Sequence, residues 1–281
     1  MTERLETYKR KKDYLLCVDS DGCVMDTMDS KHTRCFGPCL VEEWGLLKWE
    51  DAILRGWNEM NLYSMTRGIN RFKGLAKMLR KVNEAYIEIK DMEVLEQWVE
   101  DSPELSEEAL AAAIREQDSV ILKKALAWSE AVNKKGKELS AREKRSFEGA
   151  REALAAAARQ ADIAVVSSAN YHAAMEEWKE NHLLGYAALF LAQDTGSKSY
   201  CVRELLKKGY EREHVLMIGD APGDYEAAEE NGVYFYPILV RKETESWEEF
   251  RKTGLERFVQ GNYDGVYQKE RIDIFLKNLK G

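Results

Sequence analysis

The chain has no apolar run long enough to cross a bilayer, for its longest, Leu183 to Ala192, is far too short for a membrane-spanning helix. It shows no apolar leader either: Met1 to Asp13 is charged, and a cytoplasmic location is the expectation. A disulfide framework is also missing. The five cysteines, at positions 17, 23, 35, 39 and 201, are odd in number and lack framework spacing, which suits reduced thiols in a reducing compartment. Positive charge is in short supply, with 42 Lys and Arg against 50 Asp and Glu, a net charge of -8 and a pI near 5.3. That balance excludes a general binder of nucleic acid or anionic membranes, both of which need a broad positive field. There is no internal repeat, since the similar stretches Ala109 to Ile114 and Ala153 to Ala158 reflect only the helix propensity of alanine. What is present is an ordinary globular composition. At 281 residues, 44% hydrophobic and 33% charged, the chain can bury one large core or two modest ones.

Strand-like apolar runs occur at Tyr14 to Val18, Asp162 to Val166, Ala187 to Ala192, Val215 to Ile218 and Val233 to Tyr236, with helix-patterned segments between most of them. This alternation predicts an α/β fold with a parallel sheet. Residues 28–145 read differently, as helical patterns without a convincing strand, broken at Phe36-Gly37-Pro38, Arg67-Gly68, Asp101-Ser102-Pro103 and Lys135-Gly136. The expected organisation is therefore a discontinuous α/β core, 1–27 with 146–281, and an all-α insertion over 28–145. Five of the seven tryptophans (44, 49, 57, 98 and 128) fall in the insertion and are read as its core. His32, Cys35 and Cys39 hint at a metal site, but Gly37-Pro38 interrupts the helical spacing and no fourth ligand is evident. Glu84 to Asp118, with 12 acids and two bases, reads as a solvated helical face.

The chemistry gathers where an α/β sheet places it, at the carboxyl ends of strands. The first apolar run ends in Asp19-Ser20-Asp21-Gly22. Side chains two apart leave a strand on the same side, so Asp19 and Asp21 can face one small volume, one to attack or bind a metal and the other to move a proton. Gly22 permits a sharp turn. The second run ends in Ser167-Ser168-Ala169-Asn170, where a hydroxyl and free amides before a helix can hold phosphate oxygens, or simply cap the helix. Lys198 opens a helix running to about Lys208 and can project its ammonium toward an anion. After Val215 to Gly219 come Asp220 and Asp224, the first placed to bind a hard cation and the second able to cap a helix expected over Tyr225 to Glu230.

In this order the four motifs resemble those of the haloacid dehalogenase-like hydrolases: Asp19-x-Asp21-Gly22, a strand ending in Ser167, the helix-opening Lys198, and Gly219-Asp220-x-x-x-Asp224. The resemblance covers about residues 13–27 and 146–240. It implies a Rossmann-like core and makes the helical insertion a C1-type cap. It further implies a Mg²⁺-dependent phosphatase acting on a small phosphorylated metabolite through an aspartyl-phosphate on Asp19. Asp21 would serve as acid and then base; Ser167, Ser168, Gly22 and Lys198 would bind the phosphoryl group; Asp19, Asp21, Asp220 and Asp224 would form the metal site. Cys23 departs from the family, which usually has Thr there, and is read as a buried thiol because Mg²⁺ prefers oxygen. In the insertion, Leu54 to Lys81 holds seven bases and a single acid, and its Gly68-Ile69-Asn70-Arg71 resembles the specificity loop of sugar-phosphate-acting caps, pointing to Asn70 and Arg71 for substrate selection. A phosphomutase uses the same residues and is the alternative; a catalytically silent binding or sensor protein is the second. Dehalogenation is disfavoured because Asp21 is present.

Overall fold

The computed structural model describes residues 3–280. They fall into two units, one formed by the residues up to Met28 together with Ala141 onward, the other by Asp29–Ser140.

The first unit is built on five parallel strands: β1 (Tyr14–Val18), β2 (Ala161–Val166), β3 (Leu189–Leu191), β4 (Val215–Gly219) and β5 (Tyr234–Pro237), in the order β3-β2-β1-β4-β5. Every residue of β2, β3 and β4 is buried, as the unbroken apolar runs require of a parallel sheet covered on both faces. Strand β1 is central, pairing Leu16 with Ile163 on one side and with Leu216 on the other. From it the chain builds outward through β2 to β3, then crosses to the other side for β4 and β5. The reversal opens a crevice between the carboxyl ends of β1 and β4, where such sheets bind their ligands.

Element boundaries shift by one to three residues from the sequence expectation, and two of the shifts have a local cause. β3 is shorter than the run Ala187 to Ala192, because a 3-10 turn at Leu184–Tyr186 precedes it and the Thr195 amide turns back to the Ala192 carbonyl after it. The helix after β4 spans Pro222–Asn231 and so begins three residues before Tyr225. Pro222 supplies a preset φ at the first helical position, where its missing N–H is no loss.

The tail after β5 belongs to the core. Its helices Glu243–Glu249, Leu255–Val259 and Val266–Lys280 deliver Trp247, Phe258 and Phe275, all fully buried, and the Phe275 ring meets Phe235 of β5 edge-on at 5.3 Å.

In the second unit the described residues form helices and no strand, the longest helices being Glu50–Leu62, Arg71–Ala85 and Val120–Lys137. Trp57, Phe72 and Trp128 lie at its buried centre, with edge-on ring contacts between Trp57 and Trp128 at 6.0 Å and between Phe72 and Trp98 at 5.2 Å. The tryptophans of the insertion thus pack a core. His32 Nδ1 accepts the Trp57 indole N–H at 3.0 Å, while Cys35 and Cys39 are buried thiols. Among the described residues no helix is long and apolar enough to cross a membrane.

Candidate active site

The β1 ladder continues one residue past the strand, for the Asp19 amide donates to the Ile218 carbonyl at 3.0 Å. The chain then closes on itself. Ser20 O accepts the amides of Cys23, Val24 and Met25 at 3.3, 2.9 and 2.9 Å, and Gly22 reverses direction with φ +82°, a conformation open to glycine. Asp19 stands just before this turn and Asp21 lies within it. Asp21 Oδ1 accepts the hydroxyl of the buried Thr27 at 2.9 Å. Sequence reading missed Thr27, which lies outside every motif; a hydroxyl six residues beyond an acid carries no periodic signal.

At the end of β2, Ser167 is buried and its Oγ accepts the Ala169 amide at 3.1 Å, while Ser168 is exposed. Asn170 caps the helix Tyr171–Glu180, accepting the amides of His172 and Ala173. Lys198 opens the helix Lys198–Leu206, capped by Ser197, and its Nζ lies 2.9 Å from Asp19 Oδ2 and 2.5 Å from Asp224 Oδ1. Because the helix after β4 starts at Pro222, Asp224 sits in its first turn and is not the N-cap. Its other oxygen accepts the Ala221 amide at 3.0 Å, so Asp224 joins the helix start to Lys198.

Gly219 makes this closeness possible. A Cβ there would overlap the Asp224 carboxylate, which has no room to retreat while held by Ala221 and Lys198. Gly219→Ala is expected to lower stability by about 1–3 kcal/mol, the usual effect of overpacking, and to disorder the site. Urea unfolding checks this, and an unchanged midpoint with an unchanged slope would contradict it.

Ligand oxygens of Asp19, Asp220 and Asp224 come within 4.8 Å of one another, and all three residues are buried. Burial pushes the carboxyls of Asp19 and Asp224 up to about 6, Lys198 pulls both the other way, and the neighbouring carboxylates Asp220 and Asp19, respectively, add to the rise. For Lys198, burial disfavours the charged form, yet Asp19 and Asp224 outweigh it and hold the ammonium above its ordinary range. The Asp220 Oδ1 oxygen is buried and accepts no hydrogen bond, although Asp220 has Asp19 as an electrostatic neighbour. Three buried carboxylates, one oxygen of which lacks a donor, form a hard donor set suited to a divalent cation. Cys23 adds nothing to it: burial, reinforced by the three carboxylates, pushes its thiol up, and its Sγ donates to the Ile218 carbonyl at 3.7 Å.

Asn70 and Arg71 lie in the helical unit. Asn70 caps the helix Arg71–Ala85, its Oδ1 accepting the Phe72 amide at 2.9 Å and its Nδ2 donating to Leu105 O at 3.0 Å. Arg71 Nη1 donates to Ser129 Oγ at 2.9 Å and Asn133 Oδ1 at 2.8 Å and lies 3.8 Å from Glu107, with its guanidinium 5.2 Å from the Phe36 ring centre.

The model of the haloacid dehalogenase-like hydrolase family matches residues 69–238, a span that includes Ser167, Lys198, Asp220 and Asp224 and begins after β1. Among solved structures, a haloacid dehalogenase-like family hydrolase from Xanthomonas campestris is similar with a TM-score of 0.50 and 13% identity, covering 90% of this chain and 97% of that one. A candidate beta-phosphoglucomutase from Thermotoga maritima gives a TM-score of 0.43 at 16% identity, over 80% of this chain and 84% of its own. A defluorinating L-2-haloacid dehalogenase gives 0.42 at 13% identity, over 84% and 86%. No curated protein sequence matches the chain. With the family model spanning more than half of the residues, and a sheet whose strand ends bring Asp19, Lys198, Asp220 and Asp224 together, the chain belongs to the haloacid dehalogenase-like hydrolases.

Proposed function

We propose that the chain is a Mg²⁺-dependent phosphatase that hydrolyses a small phosphorylated metabolite through a phosphoryl group carried on Asp19. One observation supports this reading above the others: a second acid, Asp21, stands two residues beyond Asp19 with its carboxylate fixed by Thr27 at 2.9 Å. A halide leaves as a stable anion, whereas an alkoxide leaving group needs a proton.

Lys198 grips one oxygen of Asp19 and so orients the carboxylate for attack on phosphorus. As the Asp19 oxygen bonds to phosphorus and the ester oxygen departs, Asp21 gives that oxygen its proton. Asp21 then takes a proton from the water that attacks the phosphorus and breaks the Asp19–phosphorus link, releasing phosphate and restoring Asp19. Ser167, whose Oγ accepts from Ala169 but still has its own O–H to donate, holds a phosphoryl oxygen with the Ser168 amide and Lys198, beside the turn that Gly22 opens. Asp19, Asp220 and the Asp21 carbonyl would hold the cation, with Asp224 behind them, and the ion when bound supplies positive charge that offsets the phosphoryl oxygens. In the helical unit, Arg71, held by Ser129 and Asn133, and Asn70 select the substrate in this reading. An acidic chain with a compact site favours a small metabolite over nucleic acid or a membrane surface.

The test is release of inorganic phosphate from phosphorylated sugars, nucleotides and small acids in the presence of Mg²⁺. Turnover of at least one class is expected. Halide release from a 2-haloacid with no phosphate released from any member of the panel would overturn the reading. A product that stays phosphorylated when a sugar bisphosphate is added would transfer the assignment to a phosphomutase.

A further inference from the structure

Two buried tryptophans from separate parts of the chain donate their indole N–H groups to the turn that carries Asp19 and Asp21. Trp178, in the helix Tyr171–Glu180 after β2, reaches Ser20 Oγ at 2.9 Å. Trp247, in the tail helix Glu243–Glu249, reaches the Cys23 carbonyl at 2.9 Å. Both rings are fully buried. Ser20 and Cys23 bracket Asp21 and Gly22, and the Ser20 carbonyl gathers the three amides that close the turn. The two indoles therefore hold the two ends of one closed loop.

Any buried indole N–H needs an acceptor, and packing alone explains one such bond. It does not explain why two tryptophans about seventy residues apart in sequence converge on the same four-residue turn, when a backbone carbonyl elsewhere would serve either equally well. The turn itself has little bulk: a serine, a glycine and a cysteine surround Asp21. The two indole hydrogen bonds add outside anchors to the backbone bonds that close it.

We infer that Trp178 and Trp247 are positioning residues that set the reach of Asp19 and Asp21, and that the tail beyond β5 is thereby part of the active-site scaffold. The inference rests on the proposed roles of those two carboxyl groups. Loss of either indole N–H removes a donor from a buried oxygen, and the turn relaxes to recover a partner. A shift on the order of 1 Å at a reacting group is enough to slow a reaction by about a hundredfold.

The test compares Trp178→Phe and Trp247→Phe with Trp128→Phe, whose buried indole donates to the Phe36 carbonyl at 3.2 Å in the helical unit. Replacing Trp247 by benzothienylalanine removes the N–H and keeps the ring shape, which covers the case of a Phe variant that does not fold. With an aryl phosphate and Mg²⁺, kcat is expected to fall about 10- to 100-fold in the Trp178 and Trp247 variants while KM stays within about twofold. Amide exchange at residues 22–25 should accelerate in both, and the Trp128 variant should lose thermal stability without either change. Folded Trp178 and Trp247 variants with unchanged kcat, or with unchanged exchange in the turn, would overturn the inference. If the wild-type protein released no phosphate, the functional reading would fail, and the exchange comparison alone would decide whether the indoles hold the turn.

Discussion

Asp19→Asn is expected to reduce turnover to background, a loss on the order of a thousandfold or more, as when a nucleophile is removed from its machinery. An amide in that place offers no charged oxygen to phosphorus. The fold should survive, and the reason lies in the site's own energetics. Asp19 is 5% exposed, and burial holds its carboxyl above the ordinary range, so its charged form is disfavoured where it stands. Lys198 retains Asp224 as a partner after the change. The variant is therefore expected to melt at the same temperature as the parent or higher, the usual relation between a strained functional group and stability. Activity near the parent level in a folded variant would remove Asp19 from its proposed role.

Removing divalent cations should have the second large effect. Asp19, Asp220 and Asp224 bring three carboxylates within 4.8 Å, with Lys198 bridging two of them. A dianionic substrate entering such a site without added positive charge meets strong repulsion. Chelation should silence turnover, and Mg²⁺ should restore it. Stability supplies a readout independent of activity. The folded carboxyls of Asp19 and Asp224 stand near 6, against ordinary values of 3.8, so the metal-free fold binds protons more tightly than the unfolded chain. Its stability should rise as pH falls from about 7 through 6, and the gain should end near pH 4, where the unfolded carboxyls also become protonated. A melting temperature about 2–4 °C higher at pH 5.5 than at pH 7.5 corresponds to roughly 1 kcal/mol in a domain of this size. Mg²⁺ competes with those protons, so its stabilising effect should be larger at pH 7.5. Equal melting temperatures at the two pH values without metal, together with activity in excess chelator, would contradict this electrostatic account.

Much of this site was legible before any coordinates because its parts end apolar runs. Tyr14 to Val18 and Val215 to Gly219 are too apolar to be anything but buried strands, and the acids directly after them fall at the crevice between β1 and β4. What pattern does not carry is which side chain meets which. Asp224 reads equally as a cap or a ligand until Pro222 is seen to start the helix and Lys198 is seen against its carboxylate. Thr27 and Trp247 reach the turn through side-chain hydrogen bonds, one from six residues on and the other from over two hundred, and neither creates a periodicity. The tail was readable as helical and as packing on the core, but not which of its side chains reach inward, because its buried Trp247, Phe258 and Phe275 belong to three separate helices. Arg71 illustrates the opposite case. A basic segment marked it out, yet its partners Ser129 and Asn133 come from a helix nearly sixty residues on, beyond the reach of local pattern.

The central claim is that phosphate passes through a covalent bond to Asp19, and the most direct test is to quench the protein with acid during turnover of a labelled phosphate ester and locate the label by mass spectrometry. The account predicts an acyl phosphate on the peptide containing Asp19, absent from Asp19→Asn. Label fixed to another residue, or steady phosphate release with no phosphorylated protein at any time of quenching, would contradict it.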